Sequence, residues 1–293
     1  MQAYVINCGV QIIRSVNGMQ AVAAYFNAKL NSIALVPTMG ALHEGHLWLI
    51  REARKRVGRS GLVIVSVYVN PTQFGPKEDF KKYPRPFARD CQLCNKMGVN
   101  VVFAPTDRGM YPDGFSTFVE ESQLSRRWEG ERRPAHFRGV CTVVAKLLQI
   151  IQPYYAIFGQ KDFQQAAVIK RMARDLNLCK RIVVQPTVRE KDGLAMSSRN
   201  VYLTATQREQ AVVLSQSLDL AQSLVRRGER RASVICSTMT QRIRGASESR
   251  IDYVGLANVK TLEPVKMVSR GQAVALLAVW FGKTRLIDNA IMS

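Results

Sequence analysis

Pro37-Thr38-Met39-Gly40-Ala41-Leu42-His43-Glu44-Gly45-His46 decides how the chain is read. The apolar run at residues 33–36 leads into it, and Leu47, Ile50, Ala53 and Val57 leave it at helical spacing. The stretch is therefore strand, tight turn, helix start. His43 and His46 stand three residues apart on the first helical turn and share one face. That turn also presents unpaired backbone N–H groups and the positive end of the helix dipole. Such a place binds anions, phosphates above all, so the stretch predicts a nucleotide-phosphate site.

The surroundings extend the pattern. Residues 11–30 predict a helix ahead of the first strand. Residues 62–69 are almost continuously apolar, as in a strand buried on both faces of a parallel sheet. They end in Asn70-Pro71-Thr72-Gln73-Phe74-Gly75, a loop at the carboxyl end of a strand, where open α/β sheets bind ligands. A polar stretch (77–85), a helix to about residue 97 and a strand at 99–104 follow. Residues 105–114 read as loop, 115–120 as a short strand and 128–137 as an ordered loop. Val140, Val143, Val144, Leu147, Leu148 and Ile151 mark a buried helix, 154–158 a strand, 163–177 a helix and 182–188 a last strand.

Strands alternating with helices imply βαβ units. Past residue 187 the texture changes. The polar stretch Arg189-Glu190-Lys191-Asp192-Gly193-Leu194-Ala195-Met196-Ser197-Ser198-Arg199-Asn200 leads to helical patterns at 206–228 and 231–245, then to strand-like runs at 251–256, 272–281 and 284–288. The expected architecture is α/β: a Rossmann-like doubly wound parallel sheet over residues 1–187, with a second, smaller α+β C-terminal domain over 188–293.

Of the 293 residues, 42 are Lys or Arg against 22 Asp or Glu, a net charge of +20. A nucleic-acid or anionic-lipid partner is one reading. The basic clusters carry little of the interleaved aromatic character that base stacking needs, so a basic surface on an enzyme with anionic substrates is preferred and nucleic acid is not expected. The apolar runs fall short of the roughly 20 residues of a membrane span. The first residues lack the charged start of a secretory signal, so a cytoplasmic location is expected. Six cysteines are scattered, and only Cys91 and Cys94 form a C-x-x-C, without a second pair to complete a zinc site.

Several look-alikes fail. His43-Glu44-Gly45-His46 is not H-E-x-x-H, because Leu47 stands where the second His belongs. Gly282-Lys283-Thr284 resembles a P-loop ending, but Leu277 occupies the first Gly position. Neither a dinucleotide fingerprint nor a nucleophile elbow is present. The positive signals converge instead. The chain has three histidines; two lie in the opening motif and His136 lies in the Arg133-Pro134-Ala135-His136-Phe137 loop. Histidine can donate to phosphate and, as imidazolium, stabilise growing charge. Lys161-Asp162 follows a strand and precedes a helix, so Lys161 can neutralise phosphate and Asp162 can bind a ribose hydroxyl or simply cap the helix. Met196-Ser197-Ser198-Arg199 offers two hydroxyls and a guanidinium on a mobile-looking loop, a mixture suited to a triphosphate. Gln73 and Gln165 are neutral amides able to hold a carboxylate or hydroxyl.

Together with Val69-Asn70-Pro71-Thr72-Gln73-Phe74, Arg133-Pro134-Ala135-His136-Phe137-Arg138-Gly139-Val140, Gly159-Gln160-Lys161-Asp162-Phe163-Gln164-Gln165 and Asp192-Gly193-Leu194-Ala195-Met196-Ser197-Ser198-Arg199-Asn200, the opening motif resembles the pantothenate synthetases (pantoate–β-alanine ligases). The resemblance covers nearly the whole chain. The H-x-G-H element alone is shared with the wider nucleotidyltransferase superfamily. The resemblance implies that MgATP activates pantoate as an acyl adenylate, which β-alanine's amine then attacks. It implies that Met39, Gly40, Ala41, Leu42, His43, Glu44, Gly45 and His46 line the ATP site, with His46 a proton donor and His43 a phosphate partner. Gly159, Gln160, Lys161 and Asp162 are implied at ribose and phosphate, with Lys161 on the phosphates. The Val188 backbone is implied at adenine, and Met196, Ser197, Ser198 and Arg199 over the triphosphate. Gln73 and Gln165 are implied at pantoate, with Gln73 also near β-alanine. A homodimer is implied as well. Gln160 replaces a Glu common in such chains. Around Asp90, with Arg89 and Leu93 nearby, the chain is less acidic than some relatives, so Mg²⁺ is expected to be held mainly by phosphates. Two other readings carry less: another H-x-G-H adenylyltransferase, and a basic RNA-binding protein.

Overall fold

The structure, a computed structural model, describes residues 9–29, 32–76 and 78–293. Cys8 and the chain start, Leu30 of the expected first helix and Lys77 of the polar stretch lie outside the described residues. The described chain divides into two compact units. The first comprises the described residues up to Ser125, Gly130–Gly159 and Gln165–Gln185; the second comprises Arg126–Glu129, Gln160–Gln164 and Pro186–Ser293.

In chain order the elements up to Gln185 are β1 (Gln11–Ile13), α1 (Val16–Ala28), β2 (Ile33–Thr38), α2 (Glu44–Val57), β3 (Leu62–Val67), α3 (Phe87–Lys96), β4 (Val101–Phe103), α4 (Asp107–Met110), α5 (Glu129–Arg132), α6 (His136–Ile151), β5 (Tyr155–Gly159), α7 (Phe163–Asp175) and β6 (Arg181–Gln185). The six strands form one sheet in the order β1-β4-β3-β2-β5-β6, and every neighbouring pair is parallel. This is the Rossmann-like doubly wound sheet that the alternation implies. Alternate side chains of a strand face opposite sides. Ala34, Val36, Val63, Val65, Val102 and Ile157 pack with Leu49, Ile50 and Ala53 of α2. Ile33, Leu35, Leu62 and Ile64, of the opposite parity, are also fully buried, so both faces are covered. The strand order reverses between β2 and β5, and at such a switch point open α/β sheets bind ligands beyond the carboxyl ends.

The second unit contains α8 (Ala205–Ala211), α9 (Val213–Arg226), α10 (Ala232–Arg244), β7 (Ser249–Asn258), β8 (Ala273–Phe281) and β9 (Thr284–Ile291). Its three strands are antiparallel in the order β7-β8-β9. Leu218, Val225, Ile235, Met239 and Ile243 of the helices pack with Ala275, Leu277, Val279 and Phe281. Trp128, Phe163 and Tyr253 pack with Ala257, Val274 and Leu276. Gly282-Lys283 is the two-residue turn of the β8–β9 hairpin, since Phe281 pairs with Thr284. The P-loop likeness at that position is therefore a turn.

The structure departs from expectation in several places. The stretch predicted as one helix over 11–30 starts as strand β1, which pairs with β4, and the helix begins only after Ser15, whose side chain accepts from Gly18 N–H. Residues 115–120 form no strand; Val119 N–H goes to Thr142 Oγ1 of α6 rather than to a strand neighbour. Helix α4 interrupts the loop at 105–114, capped by Thr106. Helices α5 and α6 begin inside the stretch read as loop at 128–137. The helical pattern at 206–228 is two helices that meet at Val212. Cys91 and Cys94 lie on α3, where burial pushes the Cys94 thiol up to about 12. Among the described residues no helix is long and apolar enough to cross a membrane.

Candidate active site

Strand β2 ends at Thr38, and the next three residues turn the chain into α2. Gly40 (φ 81°) and Ala41 (φ 50°) both adopt left-handed conformations. Glycine does this freely, whereas an alanine needs outside support. Asp90 of α3, fully buried, supplies it: its two carboxylate oxygens accept from Ala41 N–H at 2.9 Å and Leu42 N–H at 2.8 Å. Burial raises the Asp90 pKa, against the two backbone N–H groups that lower it.

His43 is the N-cap of α2 and His46 its third residue. The two rings lie 4.1 Å apart between centroids. His43 Nδ1 accepts from Gly45 N–H at 3.2 Å, and His46 Nδ1 accepts from His43 N–H at 3.3 Å. The N–H groups of His46 and Leu47 go to the His43 carbonyl. The start of α2 is therefore not the open row of donors expected from the sequence, because these groups are satisfied within the turn. A ring nitrogen that accepts carries no proton, so each neutral imidazole bears its hydrogen on Nε2. Glu44 pairs with Arg51 at 2.5 Å, with both side chains substantially exposed, so the pair contributes little to stability.

Gln73 closes a short 3-10 turn, Pro71–Gln73, beyond β3. Tyr111 OH and Thr72 Oγ1 donate to Asn70 Oδ1 at 2.7 and 3.0 Å, which fixes the orientation of the Asn70 amide. Its Nδ2 then donates to Gln73 Oε1 at 3.1 Å and to the Gly139 carbonyl. Gln73 Nε2 in turn faces Met39 Sδ at 3.1 Å. Two residues implied for different substrates thus touch. Gly139 allows the close approach of α6: a Cβ there would lie 2.3 Å from the Thr72 carbonyl oxygen. Nearby, Glu78 receives two hydrogen bonds of 2.7 Å from Arg133. Burial pushes the Glu78 carboxyl up, but the Arg133 hydrogen bonds and charge, with a smaller contribution from the Gly75 backbone, hold it below its ordinary value. Gly159 ends β5, and Gln165 is half-buried on the first turn of α7.

In the second unit, the buried Asn289 holds the turn at Gln160–Asp162. Its Nδ2 donates to the carbonyls of Gln160 and Lys161 at 2.9 and 2.8 Å, and Gln160 Nε2 donates to its Oδ1 at 3.3 Å. Lys161 Nζ lies 3.5 Å from Asp162 Oδ1. Met196 N–H donates to the Val188 carbonyl at 3.0 Å, which joins the two ends of a hairpin-like loop. Several side chains tie the base of that loop. Arg189 grips the buried Asp288 with both terminal nitrogens, and Arg208 bridges Glu190 and Asp192 at 2.6 and 2.7 Å. Asn200 Nδ2 donates to Glu190 and to the Ala195 carbonyl. Ser197 Oγ accepts from Arg199 N–H as a cap, and Ser198 and Arg199 follow on the 3-10 turn Ser198–Tyr202.

Among the described residues no three His, Cys, Asp or Glu side chains come together as a metal-binding group. Asp90, the acid beside the opening motif, accepts one backbone hydrogen bond on each oxygen. Sequence reasoning missed Asp90 as the support of the turn, Asn70 as the orienter of Gln73, and Asn289. Of these, only Asn70 lies inside a quoted motif.

The family model described as Pantoate-beta-alanine ligase matches residues 11–291. The pantothenate synthetase of Thermotoga neapolitana is 50% identical over 283 residues, 97% of this chain and all of that protein. That of Moorella thermoacetica is 49% identical over 283 residues, covering 97% and 99%. Among solved structures, a pantothenate synthetase from Thermus thermophilus superposes with a TM-score of 0.89 at 41% identity, covering 97% of this chain and 99% of that one. The pantoate-beta-alanine ligase of Francisella tularensis, complexed with beta-gamma ATP and beta-alanine, gives 0.77 at 32% identity, covering 97% and 98%.

Proposed function

The chain belongs to the pantoate–beta-alanine ligase family and is an ATP-dependent ligase that joins pantoate to β-alanine; we propose that it does so in two steps, through a pantoyl adenylate. In the first step a carboxylate oxygen of pantoate attacks the α-phosphorus of ATP, the bond to the bridging oxygen breaks, and pyrophosphate leaves. In the second, the amine of β-alanine attacks the acyl carbon and loses a proton, and AMP leaves with the carboxylate oxygen. A carboxylate is a poor acyl donor until that oxygen sits on a good leaving group. No enzyme nucleophile is required, so the residues act by positioning and by stabilising charge.

One observation carries the assignment to the opening motif: both histidines use Nδ1 as an acceptor within the helix start, so each neutral ring bears its hydrogen on Nε2. His46 gives its Nε2 hydrogen bond to a phosphate oxygen as charge builds there, and His43 does the same for a neighbouring phosphate. Met39, Gly40, Ala41, Leu42, Glu44 and Gly45 line the nucleotide. Gln73 presents Nε2–H to the pantoate carboxylate and lies near β-alanine, and Gln165 holds pantoate. Gly159, Gln160 and Asp162 serve ribose and phosphate, and Lys161 neutralises phosphate charge. The Val188 backbone meets adenine, and Met196, Ser197, Ser198 and Arg199 engage the triphosphate. Mg²⁺ enters as part of the MgATP substrate, held by phosphate oxygens. The resemblance also supports a homodimer acting in the cytoplasm.

The test is pantoate-dependent exchange of pyrophosphate into ATP, followed by AMP release on addition of β-alanine. Exchange without pantoate, or none in folded protein, sinks the reading. Exchange that never leads to AMP with β-alanine favours an adenylyltransferase that stops at nucleotide transfer.

A further inference from the structure

His136 has no part in the chemistry above, yet it is buried and both of its ring nitrogens are engaged. Nδ1 lies 2.8 Å from the carbonyl oxygen of Gln73. A carbonyl only accepts, so Nδ1 carries the hydrogen. Nε2 lies 3.0 Å from Arg133 Nη1. A guanidinium only donates, so Nε2 offers its lone pair. The ring is the neutral Nδ1–H tautomer, opposite to the form at His43 and His46. Arg133 is itself fixed by its two hydrogen bonds to Glu78, and its Nη2 also approaches the Gln73 carbonyl at 3.4 Å.

The chain Glu78–Arg133–His136 therefore ends on the main chain of Gln73. The chain Tyr111–Asn70 ends on its side-chain oxygen. The backbone carbonyl and the amide oxygen of one residue are both tethered, and the amide nitrogen is the end directed at Met39. Amide groups recognise a carboxylate only when held within about 0.5 Å of the productive position. We propose that His136 is a positioning residue that sets Gln73 for the organic acid, and so governs affinity for pantoate while leaving ATP affinity alone. The proposal rests on the assignment of Gln73 to pantoate made above.

The experiment compares the full-length protein with His136→Phe, His136→Asn and Gln73→Ala. Each variant is assayed for KM and kcat with pantoate and ATP varied separately, and its thermal unfolding is recorded. Phenylalanine keeps the ring volume and deletes both polar contacts. Asparagine restores an N–H donor near the place of Nδ1. The expected result is a pantoate KM raised about tenfold in His136→Phe, the order of one lost hydrogen bond, with the ATP KM unchanged. In His136→Asn the pantoate KM returns most of the way. An unchanged pantoate KM in folded His136→Phe, beside a raised one in Gln73→Ala, overturns the proposal and leaves the Gln73 assignment standing. An unchanged pantoate KM in Gln73→Ala overturns both. Pantoate and ATP KM rising together, or no recovery with asparagine, marks His136 as merely structural and overturns the proposal. If His136→Phe does not fold, Arg133→Gln reads the same chain one link back: a raised pantoate KM alone supports it, and an unchanged one overturns it.

Discussion

Asp90 holds Leu42 from a distance of 48 residues along the chain: its Oδ1 accepts the Leu42 backbone N–H at 2.8 Å while Oδ2 takes that of Ala41. One carboxylate thus fixes the two residues immediately before His43. Asp90→Ala leaves two N–H groups without acceptors and an alanine in a left-handed conformation without support. The expected loss is roughly 2–5 kcal/mol of stability, read by urea unfolding. Asp90→Asn keeps one acceptor and falls between. If Asp90→Asn unfolds like the wild type, the carboxylate is not what holds the turn.

At His46 the capping role separates from the donor role. His46→Asn places a side-chain oxygen where Nδ1 accepts from His43 N–H, but removes Nε2–H. The expected outcome is near-wild-type thermal stability with a loss of about 10²-fold or more in adenylate formation, the order seen when one charge-stabilising donor is lost. Pantoate binding changes little. Pyrophosphate exchange and equilibrium binding measure the two. Equal losses in both mean that the ring is structural.

Glu129 is buried beside Arg285, which donates to both of its oxygens at 2.8 Å, and Tyr253 OH donates to it as well. Asp252 is the second partner of Arg285. Removing one member of a buried pair strands the other, at a cost of about 3–5 kcal/mol. Glu129→Ala is expected at the lower end, because Asp252 stays. Glu129→Gln, which keeps a hydrogen-bond acceptor, costs less. Denaturant midpoints decide, and a shift under about 0.5 kcal/mol, the size of an ordinary surface substitution, rules out a role for the cluster in stability.

The Glu78–Arg133 pair sets a pH dependence. A carboxyl whose folded pKa is lowered adds stability that is fully present above its unfolded value, about 4.3 for Glu. That contribution is lost as pH falls through the lower folded value. The stability difference between wild type and Glu78→Gln is therefore largest near neutrality and shrinks below about pH 4.3. Urea titrations across that range test the sign, and a gap that widens on acidification contradicts it.

The sequence was most legible where a segment carries its own pattern. Residues 33–36 are apolar throughout, and 62–67 are apolar except for Ser66, because their strands are covered on both faces, and α2 shows helical spacing because one face is buried. Strand β1 has only Gln11, Ile12 and Ile13, and becomes a strand by pairing with β4, which no local pattern encodes. Residues 115–120 resemble a strand because Phe115, Phe118 and Val119 are apolar. Their aromatic rings instead stack edge to face, with Arg138 over Phe118. Within the candidate site the motifs contain the candidate residues and some of their tethers, such as Asn70 and His136, but do not tell which motif is bonded to which. His136 is 63 residues from Gln73, and Asn289 is 128 from Lys161. Hydrogen bonds at that range leave no spacing to read.

The ion pair between Glu129 and Arg285 joins positions 156 residues apart. At the usual rate of synthesis, roughly 5–20 residues per second, the partner of Glu129 is made about 8–30 s after it. During that interval Trp128 also lacks the sheet of β7, β8 and β9 on which it packs. The short segment Arg126–Glu129 therefore lacks its partners Arg285 and the β7–β9 sheet until β9 has been made.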